Sequence, residues 1–244
     1  MLHAVVARCP VFGGRMAGFD AEQALLVPGV RRVVEIANGV AVVAENTWSA
    51  LQGRAVLDVR WELGEFGDLN SAQIREMALA RIAANLPPTP DDSGTVIEAL
   101  YEAPYLAHAT MEPMVCVADV RSDGCDVWVP TQDRQAAKRH AESITHLQAD
   151  TIRIHVPLIG GGFGRRLRVD YVDEAVELSQ IMGVPIKVFW TREDDLCHDF
   201  YRPASYHHLR ARIDADGTLV LWEHYSAAQC IESESDLSHG IDVP

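Results

Sequence analysis

The stretch Ile152-Arg153-Ile154-His155-Val156, followed after two residues by Ile159-Gly160-Gly161-Gly162-Phe163-Gly164-Arg165-Arg166, decides how this chain folds. The first part alternates apolar and polar side chains, the two-residue period of a strand. The glycines then form a loop. Beyond them Val172, Ala175, Val176, Ser179 and Met182 keep helical spacing from about Asp170. That helix is predicted to stop at Gly183, with Pro185 just after it. Ile186-Lys187-Val188-Phe189-Trp190 reads as the next strand. Upstream, Val127-Trp128-Val129 reads as a strand ending at Pro130, and Asp133 to Gln148 as a helix with Ala137, His140, Ile144 and Leu147 on one face. Strand, helix, strand, helix, strand implies crossover connections over a sheet, within a mixed α+β layer.

Toward the C-terminus, 208–213 and 218–222 flank Asp214-Ala215-Asp216-Gly217, a hairpin with a four-residue turn. Toward the N-terminus, Ala4–Ala7, Arg32–Ile36, Val40–Ala44 and Leu57–Trp61 read as strands, with Asn38-Gly39 as a hairpin turn. Phe19 to Ala24 suggests one helical turn opened by Asp20. Asn46 or Thr47 caps a helix through Ala55, and Asn70 or Ser71 caps another through Ala84. Pro87-Pro88-Thr89-Pro90-Asp91-Asp92-Ser93-Gly94 cannot continue that helix and is the best linker in the chain. The expected organisation is therefore a small α/β domain over 1–64, a helix and linker over 65–94, and a larger domain over 95–244.

The chain has 244 residues, 21 basic and 35 acidic, for a net charge of −14 at pH 7, and 48% of its residues are hydrophobic. This is globular composition. The negative balance disfavours nucleic-acid backbones and anionic membranes as partners. No apolar run approaches the roughly 20 residues of a membrane span. The first residues do not read as a signal peptide, since Arg8 and Arg15 interrupt a short apolar stretch; cytoplasm and periplasm both remain open. Five widely spaced cysteines, Cys9, Cys116, Cys125, Cys197 and Cys230, include no CxxC pair. They signal neither a disulfide framework, a zinc site nor an iron–sulfur cluster.

The glycine loop is the sharpest chemical feature. Glycines allow a ligand close to the main chain, and successive N–H groups can cradle an anion. It is no dinucleotide fingerprint, because position 165 is Arg165, and no P-loop, because the lysine and hydroxyl are missing. Arg165, Arg166 and Arg168 add charge suited to a phosphate-bearing cofactor; as a plain tight turn the same stretch would carry solvated arginines. Gln132, after Thr131 at a strand end, can donate and accept hydrogen bonds. His108 and Glu112, flanked by Pro104 and Pro113, read more simply as a buried or turn-stabilising pair than as metal ligands. Glu193-Asp194-Asp195 reads as an acidic helix start.

Taken in order, His108…Met111-Glu112-Pro113, Thr131-Gln132, Gly160 to Arg166 and Gly183-Val184-Pro185-Ile186-Lys187…Arg192-Glu193-Asp194-Asp195 resemble the molybdopterin-binding large subunit of the xanthine dehydrogenase and aldehyde oxidase family. Gly160 to Arg166 and His198 to Pro203 look most like the branch that contains isoquinoline 1-oxidoreductase beta subunits. The first 64 residues are similar to the family's α/β hammerhead domain, and 95–244 to the first part of its molybdopterin-binding region. The resemblance implies a molybdenum hydroxylase acting on aldehydes or N-heterocycles. It implies that Gln132, Gly161, Gly162, Phe163, Gly164 and Arg165 contact a molybdenum–molybdopterin cofactor.

It also implies partners: a small iron–sulfur subunit and a chain bearing a second molybdopterin-binding domain with the general base. A homo-oligomer is compatible with this. Leu167 stands where xanthine-oxidising members carry a glutamate, which argues against purine substrates. The chain ends before the second domain, so the expectation is a partial subunit, inactive alone, with cofactor held only in the complete assembly. The alternative from another class is a catalytically silent binding or assembly module of the same fold.

Overall fold

The computed structural model describes residues 1–88 and 94–229. In chain order the strands are β1 (Leu2–Ala7), β2 (Arg15–Asp20), β3 (Val30–Ile36), β4 (Gly39–Ala44), β5 (Asp58–Glu62), β6 (Thr95–Ala103), β7 (Val115–Arg121), β8 (Gly124–Trp128), β9 (Ile152–His155), β10 (Ile186–Phe189), β11 (Ser205–Ile213) and β12 (Leu219–Ala228). The α-helices are α1 (Glu22–Leu25), α2 (Thr47–Ala55), α3 (Ser71–Asn85), α4 (Arg134–Thr145), α5 (Asp170–Met182) and α6 (Arg192–Cys197). The fold is the mixed α+β class expected.

The helix starts follow from side-chain chemistry. Asn46 caps α2 by accepting from Ser49 N–H at 2.9 Å, and Asp133 caps α4 by accepting from Ala136 N–H at 2.8 Å. Asn70 and Gln73 close a reciprocal capping box on α3, as Thr191 and Asp194 do on α6. Gly183 ends α5 at φ 63°, a left-handed conformation that glycine adopts without steric cost. One local expectation changes: Phe19 and Asp20 end a strand, β2, and the short α1 begins only at Glu22.

The chain divides into two compact units, and the division differs from the one the proline-rich stretch suggests. One unit comprises Met1–Gly67 with His108–Phe200; the other comprises Asp68–Ala107 with Tyr201–Pro244. Within the N-terminal segment β2 and β5 pair apart as a two-stranded antiparallel sheet, Phe19 opposite Val59, while its other strands join a larger layer. In the first unit a seven-stranded sheet runs β3-β4-β1-β10-β7-β8-β9, and β1 pairs in parallel with β10, Leu2 opposite Ile186. Strands from residues 2–44 and 115–189 thus share one hydrogen-bonded layer, an outcome that no local turn signal encodes. β2, β6 and β7 are additions to the sequence-based assignment, and residues 89–93 of the expected linker lie outside the described residues.

Both faces of that sheet are covered. Ala4, Val6, Ala41 and Val43 face the main core with Val176, Leu178, Ile186 and Val188, while Val5, Val42 and Ala44 face Ala50 of α2. This is why Gly39–Ala44 reads as a continuous apolar run rather than an alternating one. In the second unit, β12-β11-β6 form an antiparallel sheet, and Ala78 and Ile82 of α3 pack with Ala204, Tyr206 and Ala227.

A buried ion pair lies within the first unit. Arg8 Nε and Nη2 donate to Glu174 Oε1 and Oε2 at 2.7 and 2.6 Å, and Trp190 Nε1 adds a bond to Oε2 at 2.8 Å. The guanidinium lies 3.8 Å from the Trp190 ring centroid. Burial pushes the Glu174 carboxyl up, and Arg8 pulls it back toward the charged form. Arg8→Ala removes the compensating charge and is expected to cost about 3–5 kcal/mol in urea denaturation near pH 7. The loss should shrink at lower pH, where the orphaned carboxylate can take up a proton.

His198 shows the opposite case. Burial first, then the Arg8 charge, lowers its imidazole from 6.5 to about 4. Between those values the unfolded chain binds a proton that the folded chain refuses, so stability falls as pH drops through that window. Denaturation midpoints measured from pH 7 to pH 4 should decline less steeply in His198→Gln.

Candidate functional site

Three segments meet at the glycine loop, all within the first unit: 108–112, 130–132 and 160–167. The segment 108–112 runs along the loop in the reverse direction. Glu112 N–H donates to Gly160 O at 3.0 Å, and Gly160 N–H donates to Glu112 Oε2 at 3.1 Å. A Cβ on Gly161 would come 3.6 Å from Met111 N, and one on Gly164 would come 3.6 Å from His108 Nε2.

Arg166 fastens the three together. Its side chain is fully buried, with Nε donating to Gly161 O at 2.8 Å, Nη1 to Pro130 O at 2.9 Å and Nη2 to Glu112 O at 2.8 Å. Nη2 also lies 2.8 Å from Glu112 Oε2. In turn the Arg166 carbonyl accepts from Thr131 Oγ1 at 3.0 Å and from Gln132 N–H at 3.1 Å. Tyr171 donates its hydroxyl to Pro130 O at 3.0 Å, and burial pushes that hydroxyl up to about 12, so it stays a donor.

Gln132 lies directly on the loop. Its Oε1 accepts from Gly164 N–H at 3.0 Å, which leaves the amide NH₂ as an outward donor on an exposed side chain. Only a glycine at 162 leaves the Gln132 amide where it is, because a Cβ there would sit 2.5 Å from Gln132 Oε1. Gly161 and Gly164 have φ of 101° and 100°, and Phe163, at φ 53°, is one of few non-glycine residues in the left-handed region. Phe163 is 74% exposed, and Met111 and Leu158 are exposed as well. Among the described residues, none accepts from the N–H groups of Gly161, Gly162 or Phe163. Three successive N–H groups free of internal partners are available to a ligand.

Gln132, Gly161, Gly162, Phe163 and Gly164 are thus brought together as one wall. Arg165 departs from expectation. Its side chain is fully buried, Nη1 and Nη2 lie 2.9 Å from the two oxygens of Asp170, and Nε lies 3.0 Å from Asp199 Oδ1. It also stands 5.4 Å from the Trp190 ring centroid and 5.1 Å from that of Phe200. A cation in such surroundings is retained by carboxylates and ring faces; it is not offered to a ligand. Neither Arg165 nor Arg166 is solvated, so the wall presents neutral donors.

His108 and Glu112 are not a pair with each other: Glu112 belongs to Arg166, and His108 to Asp199. The acidic start of α6 is used locally, Asp194 in the capping box and with Arg54, Asp195 with Arg192. Sequence reasoning missed the inward turn of Arg165 and Arg166 and the part of Asp199. The one available signal was two arginines immediately after a glycine run, with acids at 170 and 199 to receive them. Among the described residues, no cluster of three or more His, Cys, Asp or Glu could hold a metal ion, and no helix is long and apolar enough to cross a membrane.

The molybdopterin cofactor-binding domain profile matches residues 88–241, more than half of the chain. The chain belongs to that family. The beta chain of isoquinoline 1-oxidoreductase from Brevundimonas diminuta is 32% identical over 93% of this chain and 32% of that protein. The molybdenum-binding component PaoC of the aldehyde oxidoreductase of Escherichia coli (strain K12) is 27% identical over 87% of this chain and 34% of that protein. In fold, quinoline 2-oxidoreductase from Pseudomonas putida 86 superposes with a TM-score of 0.67 at 19% identity, over 92% of this chain and 35% of that one. The chain spans roughly a third of the length of these relatives. The likeness to the xanthine dehydrogenase and aldehyde oxidase family read from the motifs therefore holds, with the isoquinoline 1-oxidoreductase branch among the relatives.

Gly162→Ala tests the wall. A Cβ 2.5 Å from Gln132 Oε1 must push the amide away, so the Gly164 amide should lose its hydrogen-bond shift and exchange protection in NMR spectra. The global stability loss should stay near about 1–3 kcal/mol, the range for overpacking.

Proposed function

We propose that this chain supplies one wall of the molybdenum–molybdopterin site of a hydroxylase acting on aldehydes or N-heterocycles. The observation that supports it is the meeting of Gln132 with the glycine loop, its Oε1 fixed by Gly164 N–H so that its NH₂ points outward. On this reading residues 1–64 correspond to the family's hammerhead domain and 95–244 to part of its first molybdopterin-binding domain, even though strands from both share one sheet.

The residues fit the group. An anionic oxo-metal dithiolene centre needs preorganised donors that add no charge of their own. The wall offers the Gln132 amide and the N–H groups of Gly161, Gly162 and Phe163, while both adjacent guanidinium groups are engaged internally. When bound, the molybdenum centre supplies the two-electron oxidation of an electron-poor carbon. This chain's residues bind and orient. Gln132 would donate a hydrogen bond to the bound cofactor, the N–H groups of Gly161, Gly162 and Phe163 would help hold it, and the exposed Phe163 ring would shield it from water. Arg165 contributes its backbone only. Leu167, 53% exposed, puts an apolar side chain beside the loop, in keeping with uncharged aromatic or aldehyde substrates.

The other wall and the general base come from a second molybdopterin-binding domain, and electrons leave through a small iron–sulfur subunit. Residues 1–244 alone should therefore hold little molybdenum and show no dye reduction with an aromatic aldehyde. Co-produced with those two components they should acquire molybdenum, measured by mass spectrometry, and turn over. Gln132→Ala should then lower kcat by about 10²–10³-fold, the usual cost of removing one such donor. Molybdenum-dependent turnover by residues 1–244 alone would overturn the shared-site reading.

A further inference from the structure

His108 takes no part in the reading above, yet its ring stands against the glycine loop. Nδ1 lies 3.0 Å from both oxygens of Asp199, and the His108 backbone N–H donates to Asp199 Oδ2 as well. The Asp199 side chain is 1% exposed. Arg165 lies against it at 3.0 Å and is itself tied to Asp170. An ionised carboxylate can only accept, so Nδ1 carries the hydrogen, and in the neutral ring Nε2 is left as an acceptor. Nε2 is the nearest atom to the place of a Gly164 Cβ, at 3.6 Å. The His108 side chain keeps 21% of its surface in solvent, which gives a proton a way out. The other groups described on this wall, the Gln132 amide and three backbone N–H groups, are donors; His108 Nε2 supplies an acceptor.

The inference rests on the function proposed above. Hydroxylation with water as oxygen source, RH + H₂O → ROH + 2H⁺ + 2e⁻, releases two protons beside the cofactor. The two electrons leave through the molybdenum and iron–sulfur groups of the assembly, and the protons need acceptors. We propose that His108, held in its Nδ1–H tautomer by Asp199, accepts one of those protons on Nε2 and passes it to solvent. Asp199 is its positioning residue, and the imidazolium formed is stabilised by the same carboxylate. Arg165, 3.0 Å from Asp199 Oδ1, holds that carboxylate in place.

Two measurements test this. In ¹⁵N-histidine-labelled chain at alkaline pH, the His108 signal, assigned by its loss in His108→Gln, should show Nδ1 protonated and Nε2 bare. Asp199→Asn should convert it toward the other tautomer. In the reconstituted assembly, His108→Gln and Asp199→Asn should each lower kcat at least about tenfold with molybdenum content and KM unchanged. Both should also alter the kcat–pH profile, which a merely structural strut would not move. Imidazole in the buffer should restore part of the turnover of His108→Ala. An Nε2–H tautomer in the wild-type chain overturns the proposal, as does a molybdenum-replete His108→Gln assembly with unchanged kcat and pH profile. A wild-type assembly that acquires no molybdenum overturns the underlying function and this proton path together, an outcome distinct from the loss of this proposal alone.

Discussion

The Arg166 guanidinium is the fixture on which the site depends. It is fully buried, and its Nε, Nη1 and Nη2 reach the carbonyls of Gly161, Pro130 and Glu112 and the Glu112 carboxylate at 2.8–2.9 Å. Desolvating a cation costs several kcal/mol, and this is offset only where its N–H groups find acceptors in good geometry. The planar fork of donors therefore dictates where three separate stretches of backbone must lie. With them in place, Gln132 reaches Gly164, and the glycine amides turn outward.

The neighbouring Arg165 serves a second layer of the same design. It joins Asp170, at the start of α5, to Asp199, beyond the end of α6, and Asp199 in turn holds both the ring and the backbone of His108. Two consecutive arginines thus diverge, one toward the strand-end and 108–112 segments, the other toward α5 and the 199–200 turn. The consequence for function is electrostatic. A loop that looks basic in sequence presents neutral hydrogen-bond donors and an exposed aromatic ring, the character that the proposed cofactor site calls for.

The sheet supplies the rigid frame. Because β1 pairs with β10 and β10 with β7, the N-terminal strands brace the strands that carry the site, and α5 packs over the layer with Val172, Ala175 and Val176 fully buried. The Arg8–Glu174 pair links β1's end to α5 beneath Trp190. The loop is therefore mounted between β9, the edge strand paired with β8, and α5, which packs on the sheet.

The sequence by itself determined most of the local elements and the family. Periodicity gave β9, α5 and β10. Capping side chains at Asn46, Asn70 and Asp133 fixed helix starts, and the ordered motifs from His108 to Asp195 carried the resemblance that the family profile bears out. These features act over a few residues, or survive as residue identities at a spacing. Tertiary structure decided the rest. β1, β3 and β4 joined the strands of 115–189, while β2 and β5 paired apart, because pairing between distant edges satisfies backbone groups without leaving any mark on neighbouring sequence. His108 and Glu112, four apart and apparent partners, went to Asp199 and Arg166, 91 and 54 residues away. The direction in which a charged side chain points is set by which buried counter-charges lie within reach, and for Arg165 and Arg166 only the folded chain brings those within 3 Å.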